Sequence, residues 1–176
     1  AIGASGLYGK QRLCAGIVGH ADLTLGKAVK PILEAHIRAG GGRFRGIRHI
    51  SAWDKDDRLN SKSYPVRRGL LADPGFRTGF AELEKLNLSF DAWLYHPQID
   101  DLTDLAQNFP ETTIILDHCG GPLGLGEYAE ASTNVFKSWK NSIEKLADCR
   151  NVNVKLGGLG MRINGYDFHE KPVPPS

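Results

Sequence analysis

Apolar and β-branched residues gather in five short runs, Cys14 to Val18, Phe44 to Ile50, Ser89 to Tyr95, Thr112 to Leu116 and Asn151 to Leu156, each of a length that suits a strand. Between the runs the apolar period changes to three and four. That spacing predicts helices over Ala28 to Ala39, Phe76 to Leu86, Asp101 to Phe109 and Val135 to Ala147. Phe76, Phe80, Leu83 and Leu86 mark one buried stripe, and Val135, Trp139, Ile143 and Leu146 mark another.

Punctuation supports these elements. Gly40 to Gly42 can supply a left-handed cap after the first helix, Pro31 suits its first turn, and Asp73-Pro74 reads as an N-cap followed by proline at the first helical position. Strand and helix alternate four times and end on a fifth strand, which predicts an α/β fold with a parallel sheet and helical crossovers. Two segments exceed simple connectors: Ser51 to Ala72 and Cys119 to Thr133. Both follow a strand's C-terminal end, the side that carries binding loops in parallel α/β folds.

The chain has 176 residues, enough for one ordinary domain. Its 22 basic and 20 acidic residues leave a net charge of +2 with no basic stripe, so nucleic acid is a poor candidate partner. No apolar run reaches the ~18 residues a membrane span needs. Three dispersed cysteines without a CxxC pair suit a reducing compartment, and a cytoplasmic setting is the expectation. Ala1 opens the chain without an initiator Met or a signal-peptide pattern. The proline-bearing tail, Lys171 to Ser176, reads as an extended exit.

Candidate chemistry concentrates at strand ends. Four of the six histidines, His20, His49, His96 and His118, fall at or just past them. Imidazoles converging at one end of a parallel sheet suggest metal ligation or proton transfer, although each taken singly can equally hydrogen-bond a loop. The apolar strand Ile114 to Leu116 ends in Asp117-His118-Cys119-Gly120-Gly121, where alternation sends Asp117 and His118 to opposite sides. Cys119 beside His118 lacks any local nucleophile signature. The glycine run Gly120 to Gly126 matches no phosphate-binding motif and reads as turn.

Three further groups qualify. Arg48, His49 and Trp53 share the loop after the second strand, where a guanidinium fork can hold a carboxylate and an indole can wall a pocket. Gln98 follows the third strand. Lys155 is unusual in an enclosed parallel strand; it is either functional or paired with an acid on a neighbouring strand, such as Asp117.

Taken together, Gly16 to Leu25, Phe44 to Asp54, Phe90 to Gln98, Ile115 to Pro122 and Val154 to Met161 resemble the amidohydrolase superfamily, and within it the lactonase-type branch of TIM-barrel hydrolases. The resemblance runs over essentially the whole chain. It implies a partial (β/α)8 barrel, one domain over residues 1–176, in which the five strands are the third to seventh. The family's first-strand His-x-His and last-strand aspartate are missing from these residues. It further implies a hydrolase that opens a lactone or related cyclic ester of a sugar acid or dicarboxylate with activated water. His96 and His118 then polarise the carbonyl directly or through a metal. One divalent ion such as zinc, or none, is compatible with that branch. Arg48, His49, Trp53, Gln98 and Lys155 are the expected substrate contacts, with a small molecule as partner.

Two rival readings are a doubly wound sheet that binds a small anion and a catalytically incomplete fragment. The first predicts a reversal of strand order and helices on both faces. Open strand edges in a partial barrel lead us to expect a homo-oligomer.

Overall fold

In the computed structural model, which describes residues 5–7, 9–10 and 14–173, five strands form one parallel sheet in the sequential order β1-β2-β3-β4-β5. They are β1 (Ile17–Gly19), β2 (Phe44–Arg48), β3 (Ser89–Ala92), β4 (Ile114–Leu116) and β5 (Val152–Val154). The crossovers contain α1 (Lys30–Gly40), α2 (Pro74–Lys85), α3 (Ile99–Asn108) and α4 (Ser132–Leu146). Among the described residues the strand order has no reversal point, so the doubly wound alternative is set aside.

The two-residue alternation gives the sheet two unlike faces. Ile17, Ile47, Phe90, Ile114 and Val152 share the main apolar core with Leu33 of α1, Phe76, Phe80 and Leu83 of α2, Leu102 and Leu105 of α3, and Leu146 of α4. Phe80 meets Phe90 edge-on at 5.2 Å and Phe76 at 6.0 Å, so large rings fill the layer between sheet and helices. The other face carries Val18, Arg48, Asp91, Ile115 and Lys155, and Val18 there is 44% exposed. Helices therefore pack on one side only, as in a barrel wall.

Several boundaries differ from the sequence expectation. The first strand starts at Ile17 rather than Cys14, because Cys14 adopts a left-handed backbone (φ 54°) that a strand cannot hold. The other strands end two or three residues earlier than expected, or start later, because their flanks turn into loops and single 3-10 turns. A 3-10 segment, Leu23–Val29, precedes α1 and was not anticipated. It lies so close to α2 that a Cβ on Gly79 would sit 2.1 Å from the Leu23 carbonyl oxygen; only glycine permits that approach.

The caps follow the local rules. Asp73 accepts from the Phe76 amide at 2.7 Å with Pro74 next, and Gly41 (φ 56°, ψ 47°) closes α1. Among the described residues no helix is long and apolar enough to cross a membrane. The expected extended tail beyond 173 lies outside the described residues.

Candidate active site

At the C-terminal ends of β2 to β5 four charged side chains meet on the uncovered face. Asp91 and Asp117 are buried at 1% and 0% exposure, while the Arg48 and Lys155 side chains remain about two-fifths exposed. Arg48 lies 3.4 Å from Asp91 and 3.0 Å from Asp117; Lys155 lies 2.8 Å from Asp117 and is also paired with Asp91. Lys155 thus has the acid partner that the sequence suggested for it. Burial alone would lower its pKa, but the two carboxylates outweigh burial and raise it, so Lys155 is a fixed cation and not a base. The Asp117 oxygens satisfy ion-pair distance without well-aligned hydrogen bonds, and Asp91 Oδ1 and Arg48 Nε are buried without a hydrogen-bond partner. The acids are sealed behind, and the cations face outward.

The next residue, His118, starts a run of four left-handed residues, His118, Cys119, Gly120 and Gly121, with φ of 51°, 55°, 76° and 49°. Non-glycine residues seldom adopt this conformation, and two in succession at a strand end are a recognisable strain. Tertiary contacts hold it: the Cys119 amide donates to the Lys155 carbonyl at 3.2 Å, and Trp139 Nε1 donates to the Cys119 carbonyl at 2.7 Å. The His118 ring meets Trp93 edge-on at 5.1 Å and is backed by Gly158, leaving Nδ1 buried with no hydrogen-bond partner among the described residues. Cys119 is buried and its thiol points to the Lys155 carbonyl, which suits a structural residue.

His96 does not join His118 through its ring. Its Nδ1 accepts from the Leu123 amide at 3.3 Å and the ring meets Tyr128 at 5.4 Å. The two backbones are linked, since the His96 amide donates to the Gly121 carbonyl and the Gly121 amide to that of His118. Burial pushes the His96 pKa down to about 4. Asp54 partly opposes that shift and accepts from the Tyr128 hydroxyl at 2.8 Å.

Gln98, expected to touch substrate, ties two loops together. Its Oε1 accepts from the amides of Trp53 and Tyr95, and its Nε2 donates to the Ser51 carbonyl. Trp53 lies under Arg68 and walls a separate cavity with Lys55 and Asp101.

A cavity of about 570 Å³ opens beyond the ends of β1 and β2, lined by His20, Asp22, His49, Tyr64 and Arg67 among others. Burial, then the neighbouring His20, push the His49 pKa down to about 4. His20, Ile50 and Tyr64 also line a hollow that includes Val18 and Arg48, which joins the cavity to the charged face.

Among the described residues no group of three or more His, Cys, Asp or Glu could hold a metal ion. The expected pair His96 and His118 therefore does not amount to a metal centre by itself. Asp91 was missed in the sequence, although a lone acid inside a parallel strand carries the same signal that marked Lys155.

Comparison with known proteins agrees with this architecture. The amidohydrolase family model matches residues 10–176. An uncharacterized protein, y4mH, from Sinorhizobium fredii is 34% identical over 146 residues, which is 83% of this chain and 45% of that protein. An L-fucono-1,5-lactonase from Burkholderia multivorans is 26% identical, covering 82% of this chain and 44% of its own. The chain spans a little under half the length of these curated relatives. Crystal structures of a Burkholderia multivorans amidohydrolase, with bound HEPES or bound zinc, superpose with TM-scores of 0.66 and 0.65 at 24% identity. They cover 92% and 89% of this chain and 50% and 47% of theirs, and they share its fold. A family match over nearly the whole chain, carried by an ordered parallel sheet with its polar residues at the C-terminal end, means that the chain belongs to the amidohydrolase family.

Proposed function

We infer that the chain supplies strands three to seven of an eight-stranded barrel, and that the whole protein hydrolyses a lactone of a sugar acid or dicarboxylate. The observation that carries this reading is the pair of outward cations, Arg48 and Lys155, fixed by two buried acids beside the strained His118. In lactone hydrolysis, water adds to the ring carbonyl, the ring C–O bond breaks, and a hydroxy acid leaves. Negative charge grows on the carbonyl oxygen as the water adds, and preorganised donors are worth most there.

In this reading Arg48 and Lys155 bind the anionic or oxygen-rich end of the substrate. Their positions cost little reorganisation because Asp91 and Asp117 already hold them. His118 donates toward the reacting carbonyl oxygen from a backbone that only its neighbours sustain. The general base that activates the water is drawn from barrel strands beyond this sheet. A lactonase relative supports the substrate class. Zinc occurs in a structural neighbour, but the described residues do not fit a complete metal site, so no step here depends on one.

The test uses the full-length protein with a panel of sugar-acid and dicarboxylate lactones, followed by pH-stat. Turnover of at least one lactone, with a loss of about a hundredfold or more in kcat for His118→Ala, is the expected result. No turnover across the panel, or an undiminished His118→Ala variant, defeats the reading.

A further inference from the structure

We propose that the cavity beyond β1 and β2 is a subsite for the hydroxyl groups of a polyhydroxylated ring or chain, with His49 donating and His20 and Asp22 accepting. This rests on the hydrolase reading above and names the part of the substrate that lies away from the reacting carbonyl.

The hydrogen bonds fix what each group offers. His49 Nδ1 accepts from the Leu23 amide at 3.3 Å, so its proton sits on Nε2, a donor on a ring that lines the cavity. His20 does the reverse. Its Nδ1 lies 3.0 Å from the Arg48 carbonyl and must carry the proton, which leaves Nε2 as acceptor in the neutral ring. The rings meet edge-on with centroids 5.3 Å apart. His36 Nε2 donates to the His20 carbonyl at 3.0 Å and stacks on Phe44, which steadies the His20 backbone from α1. Asp22 accepts at Oδ1 from the Thr24 amide and hydroxyl, at 2.9 and 2.6 Å, and its Oδ2 has no hydrogen bond among the described residues while the side chain lines the cavity.

A hydroxyl both donates and accepts, so it answers a donor beside an acceptor; a carboxylate only accepts. Charge decides in the same direction. Arg67 is paired with Asp73 at 2.9 Å, which offsets its charge, and Asp22, which has no ion pair among the described residues, adds a second acid to the lining and disfavours an anion. The volume, about 570 Å³, is in the range of small-molecule sites. Through Tyr64 and His20 the cavity continues to the hollow beside Arg48, so one ligand can span the hydroxyl subsite and the cationic face.

The experiment titrates this chain with a neutral polyol, methyl α-D-galactopyranoside, and with a hydroxyl-free dicarboxylate, adipate, while histidine ring signals are followed by NMR. The glycoside is expected to move the His20 and His49 signals and adipate to leave them in place. Asp22→Asn keeps the helix-capping oxygen but removes the charge, and is expected to weaken glycoside binding about fivefold or more. His118→Gln should bind the glycoside as the parent chain does. Unmoved ring signals with the glycoside, equal response to adipate, or full affinity in Asp22→Asn overturns the subsite. Because this reads binding and not turnover, a full-length enzyme that hydrolyses lactones while its His20 and His49 ignore the glycoside sinks the subsite alone; the opposite result sinks the hydrolase reading alone.

Discussion

Arg48 reaches past β3 to place its guanidinium 3.0 Å from the carboxylate of Asp117, which follows β4 and is wholly buried. The acid therefore acts as a cross-strand pin for Arg48 from one side and Lys155, 2.8 Å away, from the other. Asp117→Asn keeps the volume and removes the charge, leaving two cations with Asp91 alone. Because both cations are partly solvated, the cost falls below that of a fully buried pair. A loss of about 1–3 kcal/mol in urea unfolding is expected. A double-mutant cycle with Lys155→Met should show coupling above about 0.5 kcal/mol, the mark of direct contact.

Two histidines make stability fall in mild acid. His49 and His96 titrate near 4 in the folded chain because burial opposes their charged forms. Unfolded, each titrates near the ordinary value of about 6.5. Between these values the unfolded chain binds more protons, so the stability is complete above about pH 6.5 and is lost as the pH falls through about 4. Urea midpoints measured from pH 7 to 4.5 should decline at no more than about 1.4 kcal/mol per pH unit for each ring. His96→Gln should roughly halve that slope, and an unchanged slope would remove His96 from the account. The carboxyls that the fold holds below their usual value, such as Asp56 with Arg58 beside it, act at lower pH than this window.

The alternation of strands and helices was legible because each element has its own apolar period, and the cap at Asp73 was legible because its chemistry is local. Lys155 was legible as a charge that needed a partner. What escaped the sequence is set by contacts between distant residues. Alternation assigned Asp117 and His118 to opposite sides, yet the backbone turns left-handed at His118, where the two-residue rule stops applying. Nothing local announces that turn, since Trp139 on α4 and Lys155 after β5 sustain it. Gln98 had the right chemistry for a substrate contact, but three backbone partners from two loops occupy its oxygen and one of its two N–H donors. His20 and His49 both stood out as strand-end histidines; their opposite tautomers depend on amide and carbonyl groups that only the fold supplies.

Gly158 sets how His118 sits. It has a left-handed φ of 72°, and a Cβ there would fall 2.6 Å from His118 Nδ1. Gly158→Ala must strain its own backbone and push the ring toward Trp93. A destabilisation of about 1–3 kcal/mol is expected, with a clear shift of the His118 ring signals by NMR. On the proposed function, kcat of the full-length protein should fall more than KM rises, since the change lies at His118 and not at the cavity beyond β1 and β2. An alanine variant with parental stability and an unmoved ring would show that this contact does not hold His118.

Trp139 offers a complementary test, because it acts on the same loop from the opposite element. Its Nε1 donates to the Cys119 carbonyl at 2.7 Å from the partly buried face of α4. Trp139→Phe keeps much of the ring but removes the donor, and Cys119 is too buried for its carbonyl to regain a full partner in water. The expected cost is about 1–2 kcal/mol, the range for a buried acceptor deprived of its donor. The lost bond also frees the left-handed run from one restraint, so amide exchange should speed up at Cys119 and Gly120 more than in β4. If stability falls while exchange rises evenly along the chain, Trp139 serves the core alone. Loosening confined to residues 118–121 identifies it as the brace for His118.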